Sequence, residues 1–235
     1  MIKEQVMDER KIQQNFIDQV KGKNKVKKKS IGVYKYLVHH SFFEVITNAY
    51  PIFYQIIKDE KLEKEFDKSI FKFMQTNAFS PYIWKMPNEY RKFLKKSKYF
   101  NDLKYLNDLL YFEYSELFIF MKKKSENKAS AFKISNKHRL SKYISLHRYK
   151  YDVINKNFNN KEEFFLLGYF DKNKNEVVYR PLNILLFTFL NSINTKKSIK
   201  TNLKKFLQQN NIPYKQYIGE FTQVLEELYS QEVLV

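Results

Sequence analysis

The sequence contains no cysteine in its 235 residues. This absence excludes disulfide bonds, thiolate zinc sites and cysteine nucleophiles. Glycine is also scarce, with four residues, and none of the motifs GxxxxGKS/T, GxGxxG, HExxH or GxSxG occurs. No positioned acid–base pair is recognisable either. We therefore predict that the chain is not an enzyme and supplies no catalytic residue, no metal ligand and no cofactor site.

The four histidines form two pairs that lie far apart in the sequence, His39 with His40 and His138 with His147. Neighbouring residues on a helix project roughly 100° apart, so His39 and His40 cannot both face one metal comfortably. A lone histidine on an apolar helix face is more often a hydrogen-bonded core residue than a ligand. We therefore predict no metal site at the histidines.

Long apolar runs are missing as well. The longest, Leu182–Leu190, is far shorter than the roughly 20 residues that a membrane-spanning helix needs. The first residues, Met1–Lys11, are charged and lack the apolar core of a signal peptide. These observations predict a soluble cytoplasmic protein without a membrane partner.

What the sequence does contain is apolar residues, at 43%, and an excess of lysine that gives a net charge of +18. The apolar content predicts a folded chain with a sizeable core. The charge has two interpretations: an electrostatic footprint for nucleic acid or an acidic partner, or the codon bias of an AT-rich genome, which raises Lys, Asn, Ile, Phe and Tyr together. Arginine, which specific DNA readers use for guanine, is rare here.

Helical periodicity dominates residues 1–126, and we predict an all-helical bundle there. A short amphipathic helix over Met1–Val20 is followed by Lys21–Ser30, which has six lysines and no acid and is either a solvated linker or an anion-binding arm. The next stretch, Ile31–Pro51, predicts one long helix. Its apolar face comprises Val33, Tyr36, Leu37, His40, Phe43, Ile46 and Tyr50.

Three further patterns complete the predicted bundle. Pro51 suits the first position of a helix, and the buried stripe after it comprises Ile52, Ile56, Leu62, Phe66, Ile70 and Phe73. Asn88–Lys96 predicts a short helix, and Tyr99–Lys124 predicts a strongly amphipathic one. Within that helix Glu113 lies near the apolar stripe. A buried carboxylate needs a partner, and we expect the tyrosines or histidines of Ile31–Pro51 to provide it.

Residues 127–235 predict a small α+β domain, separated from the bundle by the charged segment Lys122–Ser130. Three strands are expected at Leu140–Tyr149, Glu163–Phe170 and Glu176–Arg180, the last two joined as a hairpin by the turn Asp171–Asn175. Three helices follow, at Pro181–Asn191, Ile199–Gln209 and Lys215–Ser230, and are expected on one face of the sheet. The fold class is therefore α+β, with an N-terminal helical bundle and a C-terminal domain of a short antiparallel sheet and about three helices.

Two functions fit this C-terminal domain. An exposed strand edge can take up an extended peptide by β-augmentation, and the peptide-binding residues are then expected on the hairpin: Phe165, Leu166, Leu167, Tyr169, Val177, Val178 and Tyr179. Alternatively, the domain is winged-helix-like. In that case the helix with Lys200, Lys204 and Lys205 enters a DNA groove.

A resemblance to a known family rests on six short segments, each weak alone: Val33–Lys35, Ala49–Pro51, Ser80-Pro81, Phe93-Leu94, Tyr105–Leu109 with Glu113, and Tyr149–Val153. In their order and spacing, over most of residues 30–155, the chain resembles the HvfC/BufC family of peptide-modification chaperones. The residues that the resemblance marks are Val33, Tyr34, Tyr50, Pro51, Pro81, Leu106, Asp108 and Glu113. The chain departs from the family pattern at Lys58-Asp59, where a glycine is usual, and at Lys35, Tyr151 and Asn155, where Arg, Pro and Trp are usual.

Members of this family are non-catalytic companions of TIM-barrel oxidative enzymes that carry a multinuclear iron centre. The resemblance implies that this chain binds such an iron-dependent oxidase and presents a ribosomally made, Cys-containing precursor peptide for modification. Iron is then expected only in the partner enzyme, and the hairpin becomes the dock for the leader of the precursor peptide. Because the N-terminal region of the family has long been described as a DNA-binding domain, a DNA-binding protein or transcription regulator is the alternative.

Overall fold

The chain is a mixed α+β protein in which helices dominate. A computed structural model describes residues 2–26, 28–76, 82–122 and 131–235. Within these residues there are nine α-helices and one small three-stranded antiparallel sheet, and 58% of the structure is helical. The predicted fold class is confirmed. In the described part of the chain, no helix combines the length and the apolar character that crossing a bilayer requires.

The chain divides into two compact units, Met1–Tyr114 and Ser115–Val235. The division falls inside one helix, α6 (Leu106–Lys122). The predicted boundary between residues 126 and 127 lies in the segment 123–130, outside the described residues, and stays a prediction.

The first unit is built from helices, as predicted. They are α1 (Ile2–Val20), α2 (Lys29–Ala49), α3 (Pro51–Asp59), α4 (Glu63–Gln75), α5 (Met86–Lys96) and the first part of α6, with a short 3-10 helix at Ile83–Lys85. Pro51 begins α3, where its missing N–H costs no helical hydrogen bond. The helix expected from Tyr99 begins only at Leu106, because the preceding residues form turns and Phe100 has a positive φ of 57°.

Aromatic rings form the centre of this unit. Phe66 contacts Phe53 and Tyr90, and Tyr90 contacts Phe73, with ring centroids between 5.2 and 6.4 Å apart. The predicted stripe is confirmed on α4. On α3 it is wrong by one position, since the fully buried residues are Phe53 and Ile57 rather than Ile52 and Ile56. Both pairs have the same spacing of four, so periodicity alone could not choose between them.

The predicted buried face of α2 is only half correct. Of the predicted face, Ile46 and Tyr50 are buried, Phe43 is half-buried and His40 is exposed, while the buried Phe42 was not part of the prediction. Val33, Tyr36 and Leu37, which belong to the same predicted face, are exposed. The spacing identified an apolar stripe, but whether another element covers a stripe depends on where the rest of the chain lies.

The second unit contains the sheet and the three helices after it. The strands β1 (Ser145–Tyr149), β2 (Phe164–Asp171) and β3 (Glu176–Leu182) pair in the order β1-β2-β3. They are followed by α7 (Ile184–Ser192), α8 (Ile199–Gln209) and α9 (Tyr214–Ser230). The hairpin is confirmed. Pro181, expected to start a helix, lies in β3 instead, and α7 starts after Asn183, whose side chain caps the N–H of Leu186 at 2.8 Å.

Both faces of the sheet are covered, so the expectation of helices on one face only is wrong. Leu167 and Tyr169 face a core to which α7, α8 and α9 all contribute. On the opposite face, the second part of α6 packs against the sheet. Its Ser115 Oγ lies 2.6 Å from the hydroxyl of Tyr179. At Gly168, an added Cβ would lie 2.7 Å from the ring of Tyr179 and 3.1 Å from Ile119, so this position has no room for a larger residue.

Candidate functional site

In the described part of the chain, β3 is the edge strand of the hairpin, and its outer edge is where an added strand would pair. β2 is the central strand and pairs with β1 on one side and β3 on the other. Its backbone groups are therefore already used by the sheet. β3 is an edge strand, and an edge strand presents a row of backbone donors and acceptors that another chain can pair with.

The structure separates the predicted peptide-binding residues into two sets. Leu166, Leu167 and Tyr169 are buried in β2, and Phe165 is half-buried there. Val177, Val178 and Tyr179 are half-buried on β3. The prediction that these residues contact a peptide is untested, but the strand positions restrict backbone contacts to the β3 set.

Pro181 indicates which residues of β3 point their backbone groups outward. In an antiparallel ladder, alternate residues direct their N–H and C=O groups towards the partner strand or away from it. Proline is found in sheets where its missing N–H faces away from the ladder. Val177 and Tyr179 lie four and two residues before Pro181, so their N–H groups share its outward direction.

Several contacts hold this edge in place within the second unit. The Asp171 carboxylate accepts hydrogen bonds from the N–H of Asn173 at 2.9 Å and of Lys174 at 3.3 Å, which fixes the turn between β2 and β3. Arg180 Nη1 lies 2.9 Å from Glu227 Oε1 and connects β3 to α9. The strand is thus a pre-formed surface, and binding would not have to order it.

An apolar cleft begins where β3 ends. It has a volume of about 150 Å³ and lies between α7 and the first half of α9. Its walls include Asn183, Leu186, Tyr217, Glu220 and Phe221. The sequence reasoning missed this cleft, because its walls come from two helices whose separation in space is not encoded in the spacing of either.

A second cluster joins three of the residues that the family resemblance marks. The Glu113 side chain is 5% exposed, and its two oxygens accept hydrogen bonds from the N–H groups of Ile52 at 2.6 Å and Phe53 at 3.2 Å. These donors belong to the first turn of α3, directly after Tyr50 and Pro51, and Tyr50 itself provides no side-chain cap. Glu113 therefore caps α3 from another helix, with its charge at the positive end of the helix dipole.

The partner expected for Glu113 was wrong. The tyrosines and histidines of α2 do not bind it. Tyr50 donates its hydroxyl hydrogen bond to the carbonyl of Pro87 at 2.7 Å, and His40 is exposed, lies 3.2 Å from Glu44 and stacks on Tyr36. A carboxylate can be satisfied by backbone N–H groups, and no pattern of side chains in the sequence indicates which backbone groups will lie beside it.

The remaining marked residues are dispersed. Leu106 is buried and Asp108 lies in the first turn of α6, where a carboxylate suits the helix dipole. Val33 and Tyr34 are exposed on α2, so burial in the core of the first unit does not account for them. Pro81 lies outside the described residues.

Two buried tyrosines in the first unit have strongly perturbed acidities. Burial raises the pKa of Tyr50 well above its usual range; Arg91 lowers it and Glu113 raises it. Burial also raises the pKa of Tyr90, although the hydrogen bond with Ser69 lowers it. Both phenols stay neutral in the folded state at pH values where an unfolded tyrosine ionises.

These shifts predict a loss of stability in alkali. Because the folded-state pKa values are raised, the contribution of these two tyrosines to the free energy of unfolding should be constant below about pH 10 and fall above it, by up to ~1.4 kcal/mol per pH unit for each tyrosine. Urea unfolding at several pH values measures this. The double variant Tyr50→Phe/Tyr90→Phe should show a shallower fall, whereas the exposed Tyr36→Phe should follow the wild type. Equal slopes for all three proteins would contradict the assignment.

Among residues 2–26, 28–76, 82–122 and 131–235, no three His, Asp or Glu side chains come together in a way that could hold a metal ion. His39 Nε2 lies 3.3 Å from the Asp67 carboxylate, and the carbonyl of Lys133, which can only accept, lies 3.3 Å from His138 Nε2.

Comparisons with known proteins do not assign the chain to a family: no family model matches it, and no curated protein does. The resemblance to the HvfC/BufC chaperones therefore rests on the six motifs alone.

Proposed function

We propose that the chain is a non-catalytic partner subunit that presents a ribosomally made precursor peptide to an oxidative enzyme. The observation that carries the proposal is the outer edge of β3, a held strand edge with an apolar cleft at its end. The family motifs supply the identity of the partners: a TIM-barrel oxidase with a multinuclear iron centre, and the leader segment of a Cys-containing peptide.

In this proposal the leader adds to the sheet as a fourth strand beside β3. Val177 supplies outward backbone groups, and backbone pairing gives affinity with little dependence on the peptide sequence. Selection comes from side chains. A peptide that continues past Leu182 reaches the cleft between α7 and α9, which accepts an apolar residue, and Glu220 at its wall favours a polar or basic neighbour.

The role of the chain towards the enzyme is positional. The modifying chemistry and its iron belong to the partner, and this chain would raise the local concentration of the peptide at the active site by holding its leader. The clustering of Tyr50, Pro51 and Glu113 supports the family resemblance, since residues more than sixty positions apart meet at one helix start.

Co-expression with a TIM-barrel iron oxidase of the family's partner class and its Cys-containing precursor peptide tests the proposal. We expect a tagged chain to capture both proteins, and the peptide alone to bind in the absence of the enzyme. A chain that remains a monomer and binds neither the enzyme nor the peptide would contradict the proposal. Binding of the enzyme without the peptide would reduce the function to that of a scaffold.

DNA binding is the second candidate, and one observation favours it. Lys200, Lys204 and Lys205 are all exposed on α8, and Lys196 and Lys197 are exposed just before it. Such a lysine-rich helix can neutralise phosphates, and its affinity for duplex DNA would fall steeply with salt. Absence of any DNA retardation at low salt removes this candidate.

A further inference from the structure

The first half of α2 exposes apolar side chains on the face opposite to the one that the bundle buries. The exposed fractions are 53% for Val33, 55% for Tyr34, 66% for Tyr36 and 51% for Leu37. With roughly 100° between successive helical residues, these four cover an arc of roughly 160°. The buried residues Phe42 and Ile46 lie on the other side of the helix.

This surface continues onto α1. The ring of Phe16 meets the ring of Tyr34 edge-on, with centroids 5.8 Å apart. Phe16 and Ile12 are themselves 41% and 65% exposed. We call the six residues Ile12, Phe16, Val33, Tyr34, Tyr36 and Leu37 the α1–α2 apolar surface. Isolated exposed apolar residues are ordinary, but a contiguous group of this size marks an interaction site.

The charge beside this surface is positive. α2 begins at Lys29, directly after the N-cap residue Lys28. Its first turn contains no acidic residue, and no side chain caps its N-terminus. Lys25, Lys28 and Lys29 are exposed. The N-terminus of a helix is already the positive end of its dipole, and cations there are unfavourable unless an anion is close. The apolar surface and its lysines therefore complement a partner with apolar and acidic residues together.

We propose that the α1–α2 apolar surface binds an acidic amphipathic segment of a partner protein. If the proposed function is correct, on which this part of the inference rests, that segment belongs to the oxidase. A second copy of the chain fits poorly, because it would bring the same lysines and a net charge of +18 to the contact.

An anionic membrane fits less well than an acidic protein. Glu44 lies within the same arc of α2, 3.2 Å from His40, and its side chain is 59% exposed. To bind a membrane, a helix buries its apolar face at the boundary between headgroups and acyl chains, where a carboxylate on that face would lose its water. Against a protein it can face a polar group at the rim of the contact.

A designed peptide provides a test that does not require the natural partner. The probe is a labelled amphipathic helix of leucine and glutamate, about 18 residues or five turns long, titrated with the full chain by fluorescence anisotropy. A leucine–lysine helix of equal length is the comparison. We expect binding of the acidic peptide only, and at least a tenfold higher Kd for Tyr36→Ser/Leu37→Ser. Ile154→Ser, an exposed apolar residue of the second unit, should leave Kd unchanged.

Two double charge reversals distinguish the effect of the lysines beside this surface from the effect of the net charge of the chain. Lys28→Glu/Lys29→Glu and Lys204→Glu/Lys205→Glu change the net charge equally, but only the first pair adjoins the α1–α2 apolar surface. We expect the first to raise Kd for the acidic peptide at least fivefold more than the second. All substituted residues are exposed, and unchanged unfolding curves confirm that the variants fold.

The same variants are also tested for capture of the oxidase and the precursor peptide in the co-expression experiment. Tyr36→Ser/Leu37→Ser should lose the oxidase and keep the precursor peptide. Peptide-probe binding without capture of the oxidase would support this surface while contradicting the proposed function. Three results overturn the inference. The first is that the substitutions change binding of neither the probe nor the oxidase. The second is that the probe does not bind while phosphatidylserine vesicles bind and the substitutions weaken that binding, and the third is a dimer of the chain that the substitutions abolish.

Discussion

Replacing Glu113 with alanine should lower the free energy of unfolding by about 3 kcal/mol, the largest stability effect expected from a single substitution among the residues considered. The carboxylate accepts from the N–H groups of Ile52 and Phe53, at 2.6 and 3.2 Å, and it is buried. Hydrogen bonds to a charged group contribute about 1.5–3 kcal/mol, and donors left without an acceptor add a desolvation cost. Guanidinium unfolding followed by circular dichroism measures the change.

Two variants sharpen this experiment. Glu113→Gln keeps one oxygen acceptor but loses the charge and should recover about half of the loss. Glu116→Ala removes an exposed carboxylate from the same helix and should change the free energy by less than about 0.5 kcal/mol. If Glu113→Ala unfolds at the same denaturant concentration as Glu116→Ala, the capping role of Glu113 is refuted.

Val177→Pro should lower the affinity for the precursor leader at least tenfold and leave the fold intact. The substitution removes one outward backbone donor from β3, and proline also prevents an added strand from approaching closely at that point. The ladder between β2 and β3 should survive, because Pro181 already occupies a position with the same direction two residues beyond Tyr179. Isothermal titration of the leader peptide into the full chain measures the effect.

The matched control is Val177→Ala, which shortens the same side chain but keeps the N–H group. Its affinity should remain within about threefold of the wild type, because β-augmentation depends on the backbone. A comparable loss in both variants would mean that the peptide reads the side chain of Val177, and no loss in either would move the peptide away from β3. Capture of the oxidase should be unaffected by either substitution.

Features set by local chemistry were predictable. The Asp171–Asn175 turn predicted the β2–β3 hairpin because a turn between two β-forming runs is specified by its own few residues. Pro51 predicted the start of α3 for the same reason, since its fixed φ and missing N–H favour the first helical position. The helix Ile199–Gln209 was also correct to its bounds, because its apolar spacing lies between a serine cap and polar residues.

Features that depend on what lies beside an element were not predictable. The sequence could mark Glu113 as a buried acid in need of a partner, but its donors lie sixty residues away in the chain. It could find the apolar stripe of α2, but not that Val33, Tyr36 and Leu37 stay in solvent while Phe42 and Ile46 are buried. It could suggest a strand edge, but only pairing shows that β2 is central and β3 is outside.

The sequence by itself therefore determined the order and type of the elements, because hydrophobic period, proline and turn residues act over a few neighbouring positions. Tertiary structure decided which surfaces remain available: the outer edge of β3, the cleft between α7 and α9, and the α1–α2 apolar surface. Their availability depends on which faces other parts of the chain cover. That is a property of long-range packing, which the spacing within a single element does not encode.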